Sequence, residues 1–247
     1  MAIPFTEIPE ALLVPGMYQE IDNSLAGTAS DVKRALMIGT MAASGTAQAG
    51  KAVQVRSADK ARILFGNGSP AATMAAEFLN HNTTEELWVL PVAEPEAGTK
   101  WSRNFQIEAS DASAGNVKIT VNGTELYAAV YDGAGAGDVA AAIVAAVNGK
   151  DNCPVEAEVV EDSESNRISV RLASAVKGIT GNYNTVSISS AASGVSITAQ
   201  EAVPGTLSPE IETPLKNLGA ARYHYIASEF SDAKNIKATA CELDDRY

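Results

Sequence analysis

Two histidines, His81 and His224, are the only imidazoles in this chain of 247 residues. Any general base working near neutral pH has those two candidates. Serines and aspartates are numerous enough to complete a Ser-His-Asp triad on paper. A serine nucleophile on an α/β sheet sits in a Gly-x-Ser-x-Gly turn, and the sequence contains no such turn. Structural roles are therefore assigned to both, His81 at a helix end and His224 on a strand.

Phosphate chemistry has two candidates. Gly133-Ala134-Gly135-Ala136-Gly137 precedes a helical pattern. A phosphate loop ends in Gly-Lys-Ser/Thr, where lysine meets phosphate and the hydroxyl meets magnesium. This loop ends in Asp138, whose charge repels phosphate, and it does not match Gly-x-Gly-x-x-Gly. It reads as a turn with Asp138 capping the helix that follows. Gly66-Asn67-Gly68-Ser69 could aim N–H groups at an anion, but as an inter-helix turn it needs no ligand. Metal chemistry has one candidate, the acidic run Glu156, Glu158, Glu161, Asp162 and Glu164. The order of a calcium loop is missing. Glu156 and Glu158 alternate with apolar residues, so they read as the solvent face of a strand, and Glu161 to Glu164 as a polar turn. Cys153 and Cys241 lack metal-ligand spacing, and a reducing compartment is their simplest reading. No catalytic residue, cofactor or metal is expected.

The elements around these residues are legible by period and cap. Arg34 to Thr40 is an apolar strand, followed by a small-residue loop to Lys51. Val53 to Val92 reads as strand, helix, turn, helix, strand. Ser57 caps the first helix, Gly66-Asn67-Gly68 stops it, and Ser69-Pro70 opens the second. Met74, Phe78 and His81 lie at helical spacing, and Leu87 to Val92 forms a buried strand. The unit is expected to be an α/β crossover. Composition then shifts at Pro91 to Lys100 and again at Ala202 to Pro209. Between these linkers Asn122-Gly123 joins two alternating runs, a strong hairpin signal. A helix runs to about Asn148, and Val155 to Val159, Ile168 to Leu172, Val186 to Ile188 and Val195 to Ile197 alternate as strands. Arg222 to Ala227 resumes the first sheet, with Tyr223 and Tyr225 on one face. Ser231-Asp232 caps a last helix whose apolar face is Ile236, Ala240 and Leu243.

At the other end, Pro4, Pro9, Pro15 and Gly16 deny residues 1–24 a helix. Leu12, Leu13, Val14, Met17 and Ile21 are more apolar than a solvated tail requires. An extended arm that lies on a neighbouring subunit is expected. The expected organisation is an arm (1–24), a discontinuous α/β core domain (25–100 and 206–247) and an inserted α+β, β-rich domain (101–205). The last helix runs into Tyr247 without a stop signal, so the core domain reads as incomplete at its C-terminus. A net charge of −12 argues against nucleic acid and anionic membrane as partners. No apolar run is long enough to span a bilayer, and the N-terminus lacks the basic and apolar regions of a secretory signal.

Ser57-Ala-Asp-Lys-Ala-Arg-Ile-Leu-Phe-Gly-Asn-Gly-Ser-Pro, the helix to Phe78 and Glu86-Leu-Trp-Val-Leu-Pro-Val resemble the N-terminal core of contractile tail sheath proteins of the Mu-like phage group. Ile8 to Ala26 is similar to that family's leading arm, and Leu215 to Tyr247 is more weakly similar to its sequence. The middle, about 101–205, carries little signature. The resemblance implies a structural, non-enzymatic subunit with a subtilisin-like fold element that lacks catalytic residues. Such subunits form hexameric rings stacked around a tail tube above a baseplate, assembled in the host cytoplasm and carried in the virion tail. It makes Leu12, Leu13, Val14, Pro15, Met17, Tyr18 and Ile21 the expected subunit contacts, with further lattice contacts near Ser57 to Asn80. Two other readings stand beside it. One is an α/β enzyme or ligand-binding domain with a pocket at the sheet's carboxyl edge. The other is a cell-surface adhesion module, suggested by the Ala/Gly/Ser/Thr-rich β region.

Overall fold

Strand β1 (Arg34–Thr40) is buried from its second residue onward, and its alternation divides the first core into two faces. Ala35 and Met37 point to one side, Leu36 and Ile38 to the other. The computed structural model describes residues 33–162 and 167–246. The described residues belong to one compact unit.

β1 pairs in parallel with β3 (Glu86–Val92) and, on its other side, with β11 (Tyr225–Ser228). The sheet is completed by β2 (Val53–Val55), giving the order β11-β1-β3-β2. β2 runs antiparallel to β3. The crossover expected between β2 and β3 is thus wrong in its partner: the parallel connection runs from β1 to β3, and β2 lies on the way. A three-residue edge strand is too short to declare its direction by pattern.

Helices α1 (Ala58–Phe65) and α2 (Pro70–His81) cover the face of Ala35, Met37, Leu87 and Val89. Their caps follow from residue chemistry. The Ser57 hydroxyl accepts from the Lys60 N–H at 3.3 Å and that of Ser69 from the Ala72 N–H at 3.2 Å, each satisfying an orphan first-turn donor. Gly66 (φ +85°) and Gly68 (φ +72°) hold the left-handed conformations that separate the helices. Phe65 is fully buried against the sheet, a side chain whose burial contributes about 1.5–3 kcal/mol.

The opposite face, Leu36, Ile38, Leu90 and Val92, is covered by Ile211, by Leu215 of α4 (Glu212–Lys216), and by Tyr223 and Phe230. α5 (Ala233–Arg246) packs beside α4. Asp232 accepts from the Asn235 N–H at 3.2 Å, so the expected start of α5 holds. Its expected apolar face does not. Ile236 and Ala240 are exposed and Leu243 is half-buried. The inward side carries Asn235, whose side-chain amide donates to Ser208 Oγ at 2.9 Å and to the Pro209 carbonyl at 3.0 Å. Two satisfied polar bonds settle the helix rotation that apolar spacing alone assigned the other way. β11 also begins later than expected. Tyr223 is buried ahead of it while Tyr225 is half exposed, so the two tyrosines do not share an environment.

Residues 102–199 build two further sheets around their own core. One has the order β10-β4-β8-β7, from β4 (Ser102–Ala109), β7 (Val155–Asp162), β8 (Arg167–Ser174) and β10 (Val195–Ala199). The other is β6-β5-β9, from β5 (Gly115–Val121), β6 (Thr124–Val130) and β9 (Val186–Ser190). β4 has no counterpart among the expected strands, although Phe105 and Ile107 are buried in it. Its Arg, Asn and Gln residues hide the alternation. α3 (Ala136–Asn148) contributes Val139, Ala140, Ile143 and Val147 to this core. At the β5–β6 turn Asn122 (φ +48°) and Gly123 (φ +84°) both adopt positive φ, the type I′ geometry that Asn-Gly favours.

The segments leading into and out of this region run side by side. Ser102 and Val203 exchange backbone hydrogen bonds of 2.9 and 2.7 Å. Thr99 N–H donates to Thr206 Oγ1 at 3.1 Å. Asn182 clamps Gly205 through both its amide nitrogen and its oxygen, at 3.0 and 2.7 Å. The first connecting segment starts after Val92 rather than at Pro91, which lies within β3.

Candidate functional site

The two histidines are far apart in role and surroundings. His224 Nδ1 accepts from the Arg34 N–H at 3.1 Å, while the His224 backbone N–H donates to the Arg34 carbonyl at 2.8 Å. The imidazole thus finishes the backbone pairing at the start of β1. His81 stands exposed in the last turn of α2, 3.9 Å from Glu77.

At the Gly-rich loop, Gly135 rather than Asp138 is the N-cap of α3. Asp138 is the third residue of the helix and reaches back to accept from the Gly135 N–H at 3.0 Å. The expected capping residue therefore acts from one turn later, because a glycine at the cap has no side chain of its own. The Tyr131 hydroxyl and then that Gly135 N–H hold the Asp138 carboxyl below its usual range. A carboxylate already occupies the place an anion would take at this helix end.

The acidic strand is salt-bridged. Glu156 meets Lys100 at 3.2 Å and Glu158 meets Arg171 at 3.3 Å. Both carboxylates are mostly exposed, as expected for a solvent face. Glu161 and Asp162 end β7 rather than starting a turn, and Glu164 lies outside the described residues. Among the described residues no group of three or more His, Cys, Asp or Glu side chains could hold a metal ion, and no helix is long and apolar enough to cross a membrane. Cys153 is buried and Cys241 exposed, both as free thiols. Burial pushes the Cys153 thiol up.

Two clusters that sequence reasoning missed tie distant parts together. In the first, Arg62 of α1 bridges Asp59 and Asp151. Beside it Asn67 Oδ1 accepts from the Asn152 N–H at 2.8 Å. A cleft of about 550 Å³ opens next to this contact, bordered by Asn67, Lys100, Lys150, Glu156, Glu158 and Arg171. Its carboxylates neutralise two of its three cations. In the second cluster, Glu229 follows β11 and turns back to the end of β1. One carboxyl oxygen, Oε1, accepts from the Thr40 N–H at 2.7 Å and from the Thr40 hydroxyl. The other, Oε2, is buried with no hydrogen-bond partner among the described residues. A local signal existed for the first cluster in the Gly-Asn-Gly turn. For the second there was none, since Thr40 and Glu229 are 189 residues apart. The expected contact residues Leu12, Leu13, Val14, Pro15, Met17, Tyr18 and Ile21 lie outside the described residues.

The architecture is that of an α/β protein whose polar clusters join elements to one another. No protein-family model matches the chain. Over 254 aligned residues, covering all of this chain, it is 33% identical to the Mu-like prophage FluMu tail sheath protein of Haemophilus influenzae (strain ATCC 51907 / DSM 11121 / KW20 / Rd). The similarity to that tail sheath protein thus extends through the middle region, where little signature was legible. The chain spans about half of that relative, 51% of its length.

Proposed function

We propose that this chain is the N-terminal half of a contractile tail sheath subunit, a structural protein without enzymatic activity. Identity to a tail sheath protein over the whole chain carries the reading. The complete subunit self-associates into hexameric rings stacked around a tail tube and ends on a baseplate. It is assembled in the host cytoplasm and located in the virion tail. Contraction draws on a metastable extended lattice, and drives the tube through the host envelope. Leu12, Leu13, Val14, Pro15, Met17, Tyr18 and Ile21 dock on a neighbouring subunit. The outer side of α1, where Ile63 is 65% exposed, adds a lattice contact.

In this reading residues 101–205 form an inserted domain facing away from the tube. Its paired connecting segments and separate core support the insertion. The region holds six basic and twelve acidic side chains, a net −6 of the chain's −12. Like charges crowded inside a ring repel, whereas at the periphery salt screens them within about 10 Å.

Negative-stain imaging of the full-length protein tests the proposal. Tubes or stacked rings are expected. Discrete monomers that bind a small ligand would overturn it in favour of an α/β ligand-binding protein.

A further inference from the structure

β11 is a four-residue edge strand held to β1 by four residue pairs. Tyr225, Ala227 and Ser228 in it are exposed. Little apolar burial secures it, so the bonds just beyond its end matter. The Glu229 N–H donates to the Ile38 carbonyl at 3.2 Å, and the Glu229 carboxyl takes both donors of Thr40. We propose that Glu229 is a protonation-controlled latch that holds β11 and the start of α5 against the end of β1, closed when the carboxyl is neutral and loosened when it ionises.

The geometry supplies the switch. A neutral carboxyl keeps Oε1 as acceptor for Thr40 and carries its proton on Oε2. An ionised one places negative charge on a buried oxygen that has no donor among the described residues, and burying an unpaired charge is costly. Among the described residues, several charged groups on neighbouring elements have partners of their own. Arg34 of β1 and Glu86 of β3 pair with each other at 3.1 Å, at the opposite end of those strands. Glu212 of α4 pairs with Lys216 at 2.8 Å, and Glu210 accepts from the Glu212 N–H. Asp232, ahead of α5, accepts from Ser208 Oγ at 2.8 Å, and Lys234 is exposed and acts on Glu212. Burial dominates at Glu229 and pushes its carboxyl up to about 7, against the opposing pull of the two Thr40 bonds. The least costly escape for the ionised carboxylate is to swing into solvent, which releases Thr40 and frees the short strand.

The sign follows from linkage. The folded carboxyl binds its proton more tightly than the unfolded one, so closure is favoured at low pH. It weakens between the ordinary glutamate range and about 7, by up to about tenfold per pH unit. This latch is independent of the sheath reading.

Hydrogen exchange of the whole chain between pH 5 and 8.5, corrected for intrinsic rates, tests it. Peptides covering 225–240 should lose protection as pH rises, relative to peptides from β5 and β6. Glu229→Gln keeps the acceptor and removes the charge, and should abolish that loss. Equal pH dependence in both proteins, or none in the wild type, would overturn the latch. Carbon-13 NMR of the wild-type carboxyls needs no variant. A Glu229 midpoint near 7 is expected, rising in Thr40→Val, which removes one donor that favours the charged form. A midpoint in the ordinary glutamate range would overturn the proposal even if Glu229→Gln fails to fold.

Discussion

Asn67 Oδ1 accepts the Asn152 N–H at 2.8 Å and so joins two turns that lie 85 residues apart in the chain. The contact is close because Gly68, the next residue, has no side chain. A Cβ at position 68 would lie 1.9 Å from the Cys153 carbonyl oxygen. Asn152 itself has φ +54°, a left-handed conformation that asparagine tolerates better than most residues.

Gly68→Ala should therefore destabilise the fold by about 2–4 kcal/mol, since it adds a backbone clash to a positive-φ penalty. Urea unfolding compares it with Gly123→Ala. Gly123 also has positive φ, but nothing lies within 4 Å of its absent Cβ. The second variant should lose less, and equal losses would show that conformation alone matters.

Asp138 predicts an acid-side effect. Its carboxyl is held low by the Tyr131 hydroxyl and the Gly135 N–H. A depressed folded value means that its contribution is fully present above the ordinary aspartate range and is lost as pH falls through the folded value. Asp138→Ala should lower Tm at pH 7, and the difference from wild type should shrink at pH 3. Thermal melts at the two pH values read this directly.

The inserted-domain proposal predicts that residues 101–205 fold alone. Phe105, Ile119, Ile143 and Leu172 belong to one core drawn entirely from that region. The isolated fragment should melt cooperatively, and within it Phe105→Ala should cost about 3–5 kcal/mol. A fragment whose amides exchange without protection would contradict the boundary.

An outward position predicts tolerance. Replacing 101–205 by a short Gly/Ser linker in the full-length protein should leave sheath assembly intact, because residues 99–102 and 203–206 already lie side by side. A deletion variant that folds but no longer polymerises would place the region in the lattice instead.

Local chemistry was written in the sequence. Ser57 and Ser69 cap their helices, Gly66 and Gly68 separate them, and Asn122-Gly123 turns a hairpin. Each depends on a few neighbouring residues and needs no partner from elsewhere. The long whole-chain likeness to a tail sheath protein was foreshadowed by the ordered stretch from Ser57 to Val92. Other features depended on meetings between distant residues. Apolar spacing placed Ile236, Ala240 and Leu243 on one face of α5, but the bonds of Asn235 to Ser208 and Pro209 turned that face outward. β4 entered the middle of its sheet despite a polar sequence, since β8 and β10 supply its backbone partners on either side. The direction of β2 and the burial of Glu229 against Thr40 were likewise decided in three dimensions. Periodicity specifies which residues share a surface, whereas only tertiary packing specifies what that surface meets and which polar groups it leaves without water.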